Sequence, residues 1–144
     1  RVPFMGPLLT IHGDIPIERG NAAEAMAKVL RLGKLWLSRG ASVAIFPEGT
    51  RSKTGEINRF KAGAFSLAKE AGVEILPIVM PGTNEYLKKN FMVNWRNRVG
   101  IRVLKPITVE EVASTDLKEL AQMTHDRMVE ALAELRAEIK AEKR

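Results

Sequence analysis

The chain has 144 residues, 45% hydrophobic and 28% charged, with a net charge of +6 and no cysteine. A chain of this length buries roughly 70% of the surface its unfolded form exposes, so a single folded domain over residues 1–144 is expected. Disulfides, thiolate nucleophiles and cysteine-held metals are excluded, and His12 and His125 are too few and too scattered to suggest a metal site. The basic excess lies in the first half: residues 1–72 carry 11 Lys/Arg against 6 Asp/Glu, and residues 73–144 carry 12 against 11. Such a face attracts nucleic acid, anionic lipid or a phosphorylated small molecule. With one tyrosine and 6% aromatics, stacking platforms for single-stranded nucleic acid are poor, so nucleic acid is not expected as a partner. No apolar run reaches the roughly 18 residues of a spanning helix, and no signal peptide is visible.

In chain order, the opening run "VPFMGPLLTI" is unusually apolar for an exposed terminus. It reads as a buried strand, with the lining of an apolar tunnel or a membrane contact as the alternative. "LLTIHGDIPIE", residues 8–18, is one strand or two broken near Gly13 and Pro16. A helix follows over about 21–38: Asn21 and Glu24 have capping-box spacing, Met26, Val29, Leu30 and Leu37 recur at helical intervals, and Gly40 is the stop. "ASVAIF" is a short strand ended by Pro47, and Asn58 is placed to cap a helix over "RFKAGAFSLAKEA", closed by Gly72. "VEILPIVM" and "VGIRVLKPI" read as further strands. From Asp116, the stripe Leu117, Leu120, Thr124, Met128, Leu132, Leu135 and Ile139 marks a long amphipathic helix with a core-packing face. Alternating strands and helices predict an α/β fold, a mainly parallel sheet with flanking helices, completed by the long C-terminal helix.

In open α/β sheets ligands sit beyond the carboxyl ends of the strands. Arg19 and Arg51 both fall in such places, each ahead of a predicted helix, and a guanidinium offers a rigid fork for phosphate or carboxylate oxygens. Lys53, Arg59 and Lys61 crowd the start of the second helix, where the helix dipole disfavours cations, and a bound anion would account for them. Gly49 allows a close backbone approach or a backbone angle other residues resist. The competing reading is a Glu48–Arg51 pair across a tight turn with solvated lysines. "GTRSKTGE" is not a phosphate loop, since its second glycine is followed by glutamate rather than Lys-Ser/Thr, and there is no G-x-S-x-G elbow. His12, in an apolar strand-like context, and His125, on the terminal helix, read as structural.

"FPEGTRS", Phe46 to Ser52, resembles the third motif of the glycerolipid acyltransferase family, the lysophosphatidate acyltransferases. "GDIPIERG" resembles the second motif, whose arginine falls on Arg19, and "ILPIVMPG" the fourth, centred on Pro77; order and spacing agree over roughly residues 1–105. The resemblance implies a glycerol-3-phosphate acyltransferase-like fold. It implies transfer of a fatty acyl group from a thioester, on coenzyme A or acyl carrier protein, to 1-acylglycerol 3-phosphate, giving phosphatidic acid in phospholipid biosynthesis. No cofactor beyond that co-substrate is implied. By position, Arg19 and Arg51 would hold the phosphate, Glu48, Gly49 and Thr50 would shape the glycerol site, and Pro77 would position its strand beside the donor. The implied partners are a lysophospholipid, an acyl thioester, acyl carrier protein and a membrane surface, at the cytoplasmic face of the cell membrane. Two other readings remain: a different acceptor, such as glycerol 3-phosphate or an acylated amino compound, or a non-catalytic module that binds lipid phosphate.

One departure stands out. The family carries H-x-x-x-x-D ahead of the second motif, with the histidine as general base. Here His12 is followed five residues on by Ile17, and His125 by Glu130 at the far end of the chain. The expectation is that the sequence starts downstream of the catalytic motif, with "RVPFMGP" following it, that no catalytic residue lies in this chain, and that the chain alone is nearly inactive.

Overall fold

The computed structural model describes residues 13–17, 20–52, 54–83 and 98–142. They form two compact units, Arg1–Ile45 and Phe46–Arg144.

The first unit is built on α1, Ala22–Ser38. Asn21 starts it as expected: its Oδ1 accepts the Glu24 N–H at 3.2 Å and its Nδ2 donates to Glu24 Oε2 at 3.2 Å, so side chain and backbone cap one another. The helix ends in a Schellman turn. The Gly40 N–H donates to Leu37 O and the Ala41 N–H to Trp36 O, at 3.0 and 3.1 Å, and Gly40 takes the left-handed φ of 79° the motif needs. The Arg39 guanidinium lies over the Trp36 ring, 5.7 Å from its centroid. Residues 41–46 follow with no ladder partner among the described residues. The strand read over 8–18 lies largely outside those residues.

In the second unit, α2 spans Gly63–Ala71, starting four residues later than the sequence suggested. The difference has a local cause. Asn58 is not a cap, because its side chain is turned back to Glu48, and the Lys61 N–H donates to Pro47 O at 2.8 Å, holding 57–61 as loop. Gly72, at φ 63°, closes the helix as expected.

The segments 75–81 and 100–107 then pair antiparallel. Their regular core is β1, Ile78–Val79, with β2, Arg102–Val103, in the register Ile78↔Val103 and Val79↔Arg102. Leu104 N donates to Pro77 O and Gly100 N to Pro81 O on the same register, but Ile75 exchanges both bonds with Ile107, one residue out of step. The extra residue falls at Lys105–Pro106, a bulge where a proline without an N–H costs the ladder nothing. On one face of this ribbon Pro77, Val79 and Pro81 are buried; on the other Ile78, Met80, Ile101 and Val103 stay exposed. The paired sheet among the described residues is therefore antiparallel, with helices beside it. The orientation of these two strands, which composition leaves open, is set by the register.

A short α3, Val109–Ser114, carries a complete capping box: Thr108 Oγ1 accepts the Glu111 N–H, and the Glu111 carboxylate accepts the Thr108 N–H at 3.0 Å. The long helix, α4, runs from Leu117 to Ala141, and its N-cap Asp116 accepts the Lys118 N–H at 2.9 Å. Every residue of the predicted stripe on α4 is buried or half-buried. Two clusters result. Phe60, Phe65, Ala68, Ile107, Val112 and Leu120 form one, with Ile107 and Leu120 fully buried. Val79, Ala131 and Leu135 form the other, packed by Ile57, Leu104, Met128 and Ile139.

Candidate functional site

The stretch Phe46–Lys61 is a loop whose shape is fixed by a few bonds. The Gly49 N–H donates to Phe46 O at 3.1 Å, making a tight turn with Pro47 at its second position, where the proline ring presets the backbone angle. Gly49 itself sits at φ 67°. A Cβ there would lie 2.6 Å from Lys61 Nζ, so the lysine side chain crosses directly over the glycine. The conformational freedom expected of Gly49 is in use, and the group that approaches its backbone is the chain's own Lys61.

Glu48 Oε2 accepts two hydrogen bonds from one residue, the backbone N–H and the side-chain Nδ2 of Asn58, each at 2.8 Å. The loop is thereby cinched across ten positions. Glu48 does not pair with Arg51, which rules out the salt-bridged turn that the sequence left open. Thr50 and Arg51 are exposed at the tip, and Arg51 makes no hydrogen bond or ion pair among the described residues. Arg59 and Lys61 are exposed as well. With the carboxylate of Glu48 bonded to Asn58, Arg51, Arg59 and Lys61 make no ion pair among the described residues, and α2 begins close by at Gly63, whose N-cap Ala62 has no side-chain acceptor of its own.

Beyond the tip the chain folds on its own hydroxyls: Gly55 N donates to Ser52 Oγ at 3.0 Å and Glu56 N to Thr54 Oγ1 at 3.3 Å. Arg136 of α4 then reaches in, Nη1 to Glu56 Oε1 at 2.7 Å and Nη2 to Gly55 O at 2.6 Å. Ile57 packs into the Val79–Ala131–Leu135 cluster, so the loop rests on the same core as the ribbon that carries Pro77. Pro77 is buried, and its carbonyl accepts the Leu104 N–H at 2.9 Å.

Glu48, Gly49, Thr50 and Arg51 are thus together in one loop, and Pro77 stands on the ribbon beneath. Arg19, His12 and Lys53 lie outside the described residues. His125 is on α4, edge-on to the Phe60 ring at 5.2 Å, with Nδ1 3.1 Å from Asp126 Oδ1. Asp126 is held below the usual carboxylate range first by that histidine and also by Gln122. Sequence reading missed Asn58 and Arg136 as parts of this loop. Asn58 carried a signal that fitted a helix cap equally well; Arg136, 80 residues from Glu56, carried none.

Residues 1–81 match the Acyltransferase family. The chain belongs to that family. Among known members, this acyltransferase chain is 34% identical over 139 residues to the 1-acyl-sn-glycerol-3-phosphate acyltransferase of Haemophilus influenzae, covering 96% of itself and 57% of that protein. It is 33% identical to the protein of the same name in Escherichia coli, again over 96% of itself and 56% of the relative. The crystal structure of the 1-acyl-sn-glycerophosphate (LPA) acyltransferase PlsC from Thermotoga maritima superposes with a TM-score of 0.63 at 27% identity, over 75% of this chain and 44% of that one. The chain spans about half the length of the curated relatives it matches.

Proposed function

We propose that this acyltransferase chain supplies the acceptor-binding part of an enzyme that moves a fatty acyl group from a thioester, on coenzyme A or acyl carrier protein, to 1-acylglycerol 3-phosphate. The observation that carries the proposal is Arg51, an exposed guanidinium with no protein partner among the described residues, at the tip of a loop held by the Glu48–Asn58 bonds and by Arg136. A fork-shaped cation on a fixed loop binds a phosphate through two oxygens at once. Relatives named as 1-acyl-sn-glycerol-3-phosphate acyltransferases in bacteria, yeast and mouse support the choice of acceptor. In this reading Arg19 joins Arg51 on the phosphate, Thr50 and Gly49 border the glycerol, Glu48 shapes that site from behind by holding Asn58, and Pro77 fixes the strand facing the donor.

The same proposal covers three further points. Residues 1–144 belong to one acyltransferase domain, which the family match supports by running across the division at Ile45. The strand-type segments 8–18, 41–46 and 73–80 belong to a largely parallel sheet, supported by their alternation with helices. The site works at a membrane surface because its acceptor is a lipid; no helix among the described residues is long and apolar enough to cross a membrane. Neither His12 nor His125 has an aspartate five residues on, so no H-x-x-x-x-D base is assigned to this chain.

In the full-length protein, Arg51→Ala should raise KM for the phosphorylated acceptor by about 10- to 100-fold, as expected for losing a charged hydrogen-bond pair of about 1.5–3 kcal/mol. KM for the acyl donor should change little. Equal effects on both substrates would remove Arg51 from the phosphate site.

A further inference from the structure

The structure assigns Arg136 the part of a positioning residue for Arg51, an inference that rests on the acceptor site proposed above. Arg136 lies beyond residues 1–81, the stretch that matches the Acyltransferase family. It nonetheless gives α4 a polar hold on the substrate loop, beside the apolar contacts that Ile57 and Phe60 make with the same helix. Its two terminal nitrogens go to different groups, the Glu56 carboxylate at 2.7 Å and the Gly55 carbonyl at 2.6 Å. A planar fork held at both tips fixes the orientation of the group it holds as well as its distance.

The held segment leads straight to the guanidinium of interest. The Gly55 N–H is bonded to Ser52 Oγ, and Ser52 is next to Arg51 in the chain. On the far side of the turn the Asn58–Glu48 bonds close the loop ahead of Gly49. Arg51 therefore projects from a segment held on both sides, and Arg136 supplies a polar pin from another element. The pin is anchored firmly, since Leu132 and Leu135, the neighbours of Arg136 along α4, are buried.

The contact is poorly suited to a purely structural purpose. The side chains of Arg136 and Glu56 are 37% and 68% exposed, and an ion pair so wet contributes little to folding. Its effect lies in the aim of the loop tip, where a small misplacement costs binding out of proportion to stability.

The test is steady-state acyl transfer by the full-length protein, with lysophosphatidate and an acyl thioester varied in turn. Arg136→Ala should raise acceptor KM about fivefold, with kcat, donor KM and Tm nearly unchanged. Arg136→Lys, which keeps the charge and one reach, should recover part of the loss, and Glu56→Gln should fall between. In an Arg51→Ala background Arg136→Ala should add nothing further, because its effect passes through Arg51. If Arg51→Ala raises acceptor KM and Arg136→Ala does not, the positioning role is overturned while the acceptor site stands. If neither matters, the acceptor site falls and the inference with it. A drop in Tm with kcat and both KM values altered together would make Arg136 a structural residue and overturn the inference. Should the alanine variant fail to fold, Arg136→Lys and Glu56→Gln decide by the same split between acceptor KM and kcat.

Discussion

Replacing Gly49 with alanine puts a methyl group where the structure has a left-handed backbone and a lysine. Two costs add. At φ 67° a Cβ meets the following carbonyl, worth about 1 kcal/mol for any L-residue other than glycine. The new Cβ also lies 2.6, 3.0 and 3.1 Å from Nζ, Cε and Cδ of Lys61, so the outer half of that side chain must leave its place. It is the far end of a flexible, exposed side chain and can swing to another staggered rotamer for about a few tenths of a kcal/mol. Gly49→Ala should therefore destabilise by about 1 to 1.5 kcal/mol, and by about 1 kcal/mol in a Lys61→Ala background. Gly72 supplies the control within the same unit: its φ is 63° and nothing lies within 4 Å of its Cβ position, so Gly72→Ala should cost only the backbone part. Urea unfolding measures all four variants, and with a slope near 2 kcal/mol/M each kcal/mol moves the midpoint by about 0.5 M. A cost well above that of Gly72→Ala would refute the easy displacement of Lys61, and no cost at all would refute the left-handed turn.

Leu120 is fully buried, and Leu120→Ala should cost about 3 kcal/mol by the same urea midpoint; a loss below about 1 kcal/mol would mean that α4 does not seat there. Thr108→Ala removes the side-chain half of a capping box and should cost about 1 kcal/mol, largely restored by Thr108→Ser; an alanine variant as stable as the serine variant would contradict the cap. The Asp116 carboxylate is held below its usual range chiefly by the Lys118 N–H, so its contribution is present above about pH 4 and fades as pH falls through its lowered folded value. Asp116→Asn keeps an acceptor but cannot titrate, so acid unfolding followed by circular dichroism between about pH 5 and pH 1 should be shallower in that variant, and an unchanged profile would count against the cap.

Much of this fold is legible where the cause is local. Asn21 with Glu24, and Gly40 or Gly72 at a helix end, announce themselves because a cap is an arrangement of residues three to five apart. The stripe on α4 is legible because helical spacing puts Leu120, Thr124 and Leu135 on one side regardless of the elements that cover them. Asn58 shows the limit. A cap and a loop clamp ask for the same side-chain chemistry, and the choice between them depended on Glu48, ten positions away. The antiparallel ribbon was out of reach for a similar reason, since strand composition does not record direction. Of the site, the motif "FPEGTRS" was legible as a string and Arg51 as its exposed cation. Arg136 was invisible, because a contact spanning 80 residues leaves no pattern along the chain.

The bulge at Lys105–Pro106 sets the phase of the residues after it. Along the strand, Arg102 and Leu104 turn toward α4 and Val103 away; strict alternation would send Ile107 outward with Val103. The extra residue resets the count, so Ile107 arrives on the inner side, fully buried, and Thr108 comes next as the cap of α3. The fold depends on the number of residues at Lys105 and Pro106 more than on their kind. Either side chain can be exchanged at the surface, but losing one position would act like a frameshift in the sheet, ejecting the core's best-buried isoleucine and turning the capping threonine away from the helix it starts.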